Sequence, residues 1–156
     1  MSHRIPLPGP IAIAELLEAL LGQEVRVARA EAKAIVPSFV AAYLTPEDEL
    51  AACCVADVEI VTVVGAAMAA VPPGAAKELL AAGPPPENVV ENFREVVNVL
   101  ASLLCSDDTV HVRLATLHGP SLPEEITDRI DGATQRVDFA LEVPGYGSGH
   151  LSFLVA

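Results

Sequence analysis

Over residues 90–104 the apolar and polar positions repeat at a helical period. Val90, Phe93, Val97, Leu100 and Leu104 share one face when wound at about 100° per residue, with Glu91, Glu95, Asn98 and Ser102 on the opposite face. The spacing predicts an amphipathic helix whose polar stripe sets an uncharged carboxamide one turn after a carboxylate.

The same reading extends along the chain. Residues 11–21 (IAIAELLEALL) predict a helix, started by Pro10 and stopped by Gly22. Residues 23–30 (QEVRVARA) alternate as a strand, with Val25 and Val27 inward and Arg26 and Arg29 wet. A second strand is expected over 34–44, with Pro37 demoting it to a sheet edge or a bulge. The turn Thr45-Pro46-Glu47-Asp48 returns the chain into a third strand over 49–56, as a hairpin. Asp57 caps a helix over 58–71, closed by Pro72-Pro73. That segment reads as a packed core helix, or as one partly exposed for dimerisation. A short helix follows over 74–82. After Gly83-Pro84-Pro85-Pro86 comes the amphipathic helix, then a turn at Ser106-Asp107-Asp108. Residues 110–117 alternate as a fourth strand ended by Gly119-Pro120, and 122–130 predict one or two helical turns. Residues 133–143 and 149–155 predict the last two strands, joined by a glycine-rich hairpin loop over 144–148.

This order predicts an α+β domain spanning 1–156: a six-stranded antiparallel sheet with helices packed on one face. Helix-plus-three-strands occurs twice, so the chain reads as two duplicated halves joined by the helix over 58–71.

Composition narrows the function. The chain has 156 residues, 52% hydrophobic and 4% aromatic, with no Trp and a formal charge of −12. Such a charge repels phosphate backbones, and the nine basic residues do not cluster, which argues against nucleic acid. The apolar run 60–73, at 14 residues, falls short of the roughly 20 that span a bilayer. With no export signal in MSHRIPLPGP, the expectation is a cytoplasmic protein off the membrane. Cys53, Cys54 and Cys105 lack zinc spacing and read as reduced, half-buried packing residues, with Cys53 and Cys54 pointing to opposite sides of a strand.

No self-contained active site is visible. Ser148, within Gly145-Tyr146-Gly147-Ser148-Gly149, has a helix on neither side and reads as a hairpin turn rather than a nucleophile elbow. His3, His111, His118 and His150 lack metal spacing, Glu124-Glu125 reads as a helix start, and no phosphate-binding glycine loop occurs. A chain of this kind can still assist chemistry whose reactive parts a partner supplies.

Glu95-Val96-Val97-Asn98-Val99-Leu100-Ala101-Ser102 resembles the E-x-x-N helix of the CheC/CheX/FliY family of response-regulator phosphatases. The first helix, the strand order and Pro120 after the following strand extend the resemblance over nearly the whole chain. It implies a phosphorylated CheY-like receiver domain as partner, one that brings the phosphoaspartate, the metal and a lysine, so that no cofactor is expected here. It further implies that Asn98 orients a water in line with phosphorus, that Glu95 docks on the partner's lysine, and that Glu91 and Ser102 lie on the rim. Glu91 stands where the family has Asp or Ser, and Pro120 follows Asn98 one residue early. The first helix carries Glu15 and Glu18 but no Asn in register, which implies the one-site, CheX-like arrangement, a homodimer joined at sheet edges. Three readings follow: the phosphatase, a catalytically inactive dimeric interaction module, and a sensory domain holding a small apolar ligand. The bland alternative for the stripe is a wet face with Glu91 and Arg94 in local pairs.

Overall fold

A computed structural model describes residues 5–106 and 111–155. Helix α1 (Pro10–Leu21) begins with Pro near its first turn and ends at Gly22, whose φ of 70° lets its N–H return to Glu18 O at 2.8 Å. It leads into strand β1 (Arg26–Arg29), with Val25 buried just before it and both arginines exposed. Strands β2 (Phe39–Leu44) and β3 (Leu50–Ala56) form the expected hairpin. Asp57 then caps α2 (Val58–Met68), its Oδ1 accepting the Ile60 N–H at 2.9 Å. Helices α3 (Pro73–Ala82) and α4 (Glu87–Leu100) follow, the latter running into a 3₁₀ turn, Ala101–Leu104. Strand β4 (Arg113–His118), helix α5 (Glu124–Asp131) and strands β5 (Gln135–Val143) and β6 (Gly147–Val155) complete the chain.

All six strands join one antiparallel sheet in the order β1-β5-β6-β3-β2-β4. Exchanging β1 with β4, β2 with β5 and β3 with β6 reverses that order and leaves it otherwise unchanged. The duplication expected from the sequence is therefore a pseudo-two-fold axis passing between β3 and β6.

Period-two alternation sends Val137, Phe139, Leu141 and Val143 of β5 to the face that α1 to α4 cover. There they meet Ile13, Leu17, Ile60, Val64, Phe93 and Leu100 in one cluster. Burying each such side chain stabilises by about 1.5–3 kcal/mol. Tyr43, Phe39, Phe93, Phe139 and Phe153 are fully buried there. The short α5 lies on the other face, where Ile126 and Ile130 pack on Val40, Cys53, Val55 and Leu154.

Several boundaries differ from the sequence expectation. Pro37 makes β2 neither an edge nor a bulged strand at that residue. Residues Ala32–Ala34 form a 3₁₀ turn and the strand starts only at Phe39, so the missing proline N–H costs the ladder nothing. Strand β2 is interior because β4, from the other half, pairs along its outer side. Its register does slip, between Ala42 and Tyr43 against β4 and between Tyr43 and Leu44 against β3. Helix α2 stops at Met68, and its core residues from Ile60 to Ala67 are all buried. The last hairpin is tighter than expected, with Tyr146 N–H bonded to Val143 O at 2.9 Å, so Gly147 and Ser148 already belong to β6. Cys53 and Cys54 are buried outright and face opposite sides of the sheet, in the α5 cluster and the main cluster respectively. Burial pushes the Cys53 thiol up to about 11 and raises that of Cys54 as well. Asp107, Asp108 and Val110 lie outside the described residues.

Candidate functional site

Helix α4 buries Val89, Phe93, Val96, Val97 and Leu100 and turns Glu91, Glu95 and Asn98 to solvent. Glu95 and Asn98 stand one turn apart, a spacing that brings Cβ atoms to about 5–6 Å. Neither side chain, nor that of Glu91, makes a hydrogen bond or ion pair among the described residues. The local pairing of Glu91 with Arg94 does not form. Two hydrogen-bonding groups thus leave the helix together with their capacity unspent.

Ser102 stands apart from the other three. It lies in the 3₁₀ turn, where each residue advances about 120° rather than 100° and swings it off the line of the stripe. Its hydroxyl donates to Val99 O at 3.0 Å.

The rotation of α4 is fixed at its packed side. At Gly65 of α2 a Cβ would sit 2.4 Å from Val89 O, so only glycine lets the two helices approach this closely. One turn on, Asn92 Nδ2 donates to Gly65 O at 3.1 Å. Near the far end, the Tyr43 hydroxyl donates to Val97 O at 2.6 Å inside the core. The sequence reading passed over both Asn92 and Tyr43. Asn92 sits beside the stripe rather than on it, and Tyr43 looked like an ordinary strand aromatic.

The corresponding positions of α1 are differently engaged. Glu15 is exposed, but Glu18 is half-buried and its Oε2 accepts the Val25 N–H at 3.1 Å.

A second polar group lies across the molecule. Asp57 Oδ2 accepts the His150 backbone N–H at 2.9 Å and meets His150 Nδ1 at 3.0 Å. With Ser148 and Glu59 the pair lines a shallow groove of about 390 Å³. Ser148 makes no hydrogen bond to His150 among the described residues, so no nucleophilic relay is assembled. Among those residues no group of three His, Cys, Asp or Glu side chains could hold a metal ion. Glu124 and Glu125 start α5 as expected. No helix among them is long and apolar enough to cross a membrane.

No protein-family model matches the sequence, and no curated protein matches it. Solved structures do match in fold. The FliM–SpeE complex from H. pylori superposes with a TM-score of 0.64 at 6% identity, over 94% of this chain and 80% of that one. The CheX–CheY–BeF3–Mg2+ complex from Borrelia burgdorferi gives 0.55 at 11% identity, over 92% of each chain. FliY from Thermotoga maritima gives 0.52 at 14%, over 92% of this chain and 82% of that one. The α+β fold anticipated from the E-x-x-N helix and the strand order is therefore the observed one, that of the CheC/CheX/FliY group and of FliM. Identities at this level speak to fold alone.

Proposed function

We propose that the protein is a CheX-like phosphatase that hydrolyses the aspartyl phosphate of a CheY-type receiver domain, with Glu95 and Asn98 as its working residues. The observation that carries this reading is the pair itself, exposed on one side of α4 with no partner among the described residues. The fold likeness to a CheX crystallised with CheY supports it.

An acyl phosphate is already labile, and in-line orientation of a water is what a helper must add. A carboxamide both accepts and donates a hydrogen bond without charge, so Asn98 holds water while tolerating the phosphoryl oxygens beside it. A carboxylate there would repel them. Glu95, one turn earlier, docks on a lysine of the receiver and sets the register. Glu91 and Ser102 form the rim. The partner contributes the phosphoaspartate, its metal and the lysine, so this chain needs neither an acid–base pair nor an ion of its own. Two chains joining at sheet edges complete the arrangement. Strands β1 and β4 hold those edges, and β1 exposes Arg26, Ala28 and Arg29. A receiver partner puts the chain in the cytoplasm.

The test is phosphate release from phosphorylated receivers. Asn98→Ala is expected to lower the stimulated rate on the order of a hundredfold and to leave thermal unfolding and receiver binding unchanged. An undiminished rate in that variant would overturn the assignment. Asn98→Asp is expected to be as inactive as the alanine variant.

One observation favours a second reading. The likeness to FliM in its SpeE complex, at a TM-score of 0.64, is stronger than the likeness to CheX, at 0.55. On that reading the chain is a non-catalytic interaction module that uses the same acidic face for binding. It predicts a stable complex with a receiver or another protein and no acceleration of phosphate loss.

A further inference from the structure

We infer that Tyr43 is a positioning residue for Asn98, acting through the peptide that joins Val97 to Asn98; the inference rests on the phosphatase reading above.

The final turn of α4 changes its hydrogen-bond pattern at the site. The Ala101 N–H reaches Asn98 O, three residues back. The chain continues three-back, as a 3₁₀ turn over Ala101–Leu104 with Cys105 N–H bonded to Ser102 O at 3.3 Å. Val97 O lies where this change of pattern begins, beside a side chain with no measurable exposure. A carbonyl left unpaired there would be costly. The Tyr43 hydroxyl takes it, at 2.6 Å, from a side chain that is equally inaccessible.

Two features make this more than incidental packing. First, Val97 C=O and the Asn98 nitrogen belong to one planar peptide unit. Holding the oxygen fixes the plane, and with it the direction in which Asn98 leaves the helix. Second, the register slips of β2 fall on either side of Tyr43, one against β4 and one against β3. Tyr43 nevertheless keeps the inward alternation of Phe39 and Ala41, and its ring reaches α4. Without the hydroxyl, the buried Val97 O loses that donor and its peptide plane is no longer held from the sheet. The backbone that carries Asn98 then tilts with it.

The experiment compares Tyr43→Phe, Asn98→Ala and the double variant in stimulated dephosphorylation of a phosphorylated CheY-type receiver. Receiver affinity and thermal unfolding are followed alongside. Tyr43→Phe keeps the ring and removes only the oxygen. The expected result is a roughly tenfold fall in kcat, with KM for the phosphorylated receiver within about twofold and no further loss when the change is added to Asn98→Ala. The Val97 carbonyl carbon should also shift in its NMR resonance. An unchanged kcat beside an inactive Asn98→Ala protein would overturn this inference and leave the phosphatase reading standing. If Asn98→Ala keeps its rate, the phosphatase reading fails and this inference with it. Loss of kcat, receiver affinity and cooperative unfolding together in Tyr43→Phe would also overturn it, because the hydroxyl would then be holding the core rather than the site.

Discussion

Helices α1 and α4 occupy matching places in the two halves, each leading to the strand that flanks the other half's hairpin. Matching the buried pair Ile13 and Leu17 with Phe93 and Val97 sets Glu15 against Glu95 and Glu18 against Asn98. Glu15 and Glu95 are both exposed, but the second positions part company. Glu18 bends back to satisfy the Val25 N–H where the chain enters β1, and α1 stops at once on Gly22. Asn98 bonds to nothing among the described residues, and α4 runs on into a 3₁₀ turn. The same place in a duplicated fold thus closes a loop in one half and stays open to a partner in the other. What separates them is whether the side chain already has a bond to make at home.

The sharpest way to break this comparison is to disturb the seat of α4 alone. Gly65→Ala would set a Cβ 2.4 Å from Val89 O, a backbone atom that cannot move without its helix. We expect a loss of about 2–3 kcal/mol in urea unfolding, with stimulated dephosphorylation falling in parallel. A neutral substitution would mean that α4 is not held where the site requires.

Next in size is the contrast between the two exposed glutamates. Glu95→Ala should weaken receiver affinity roughly tenfold or more, as loss of one partner of an interfacial charge pair does. Glu15→Ala should leave affinity unchanged. Equal effects in a receiver titration would show that the halves act alike.

The smallest expected effect tests the closed half. Glu18→Ala removes the acceptor for the Val25 N–H and should cost about 1 kcal/mol in unfolding free energy, with no change in dephosphorylation. A loss of activity in that variant would mean that α1 takes part in the chemistry after all.

The face of α4 was legible in the sequence because a helix obeys a local period, and Glu91, Glu95 and Asn98 fall on it without reference to anything distant. The capping by Asp57 and the stop at Gly22 were legible for the same reason: each acts within a few residues of itself. Strand β2 was misjudged because its neighbour β4 comes from the other half, and no local pattern announces a partner that far along the chain. Pro37 drew attention to itself, although the strand simply begins after it. Asn92 and Tyr43 were missed because each acts on a backbone carbonyl of another element, Gly65 O and Val97 O. Main-chain acceptors leave no trace in the residue types. Ser102 was placed on the stripe by assuming that the α period continued, and the change to a 3₁₀ turn took it off.

The sheet order has one more consequence. Among the described strands β1 pairs only with β5, and β4 only with β2, so each half lends its first strand to the hairpin of the other. A fragment ending after β3 would hold β1 with no strand beside it, and a fragment beginning at α4 would hold β4 in the same condition. Neither piece can complete a sheet alone, although the two repeat one plan. The molecule is woven rather than stacked, and a nick between α2 and α4 should leave two fragments that become ordered only in each other's company.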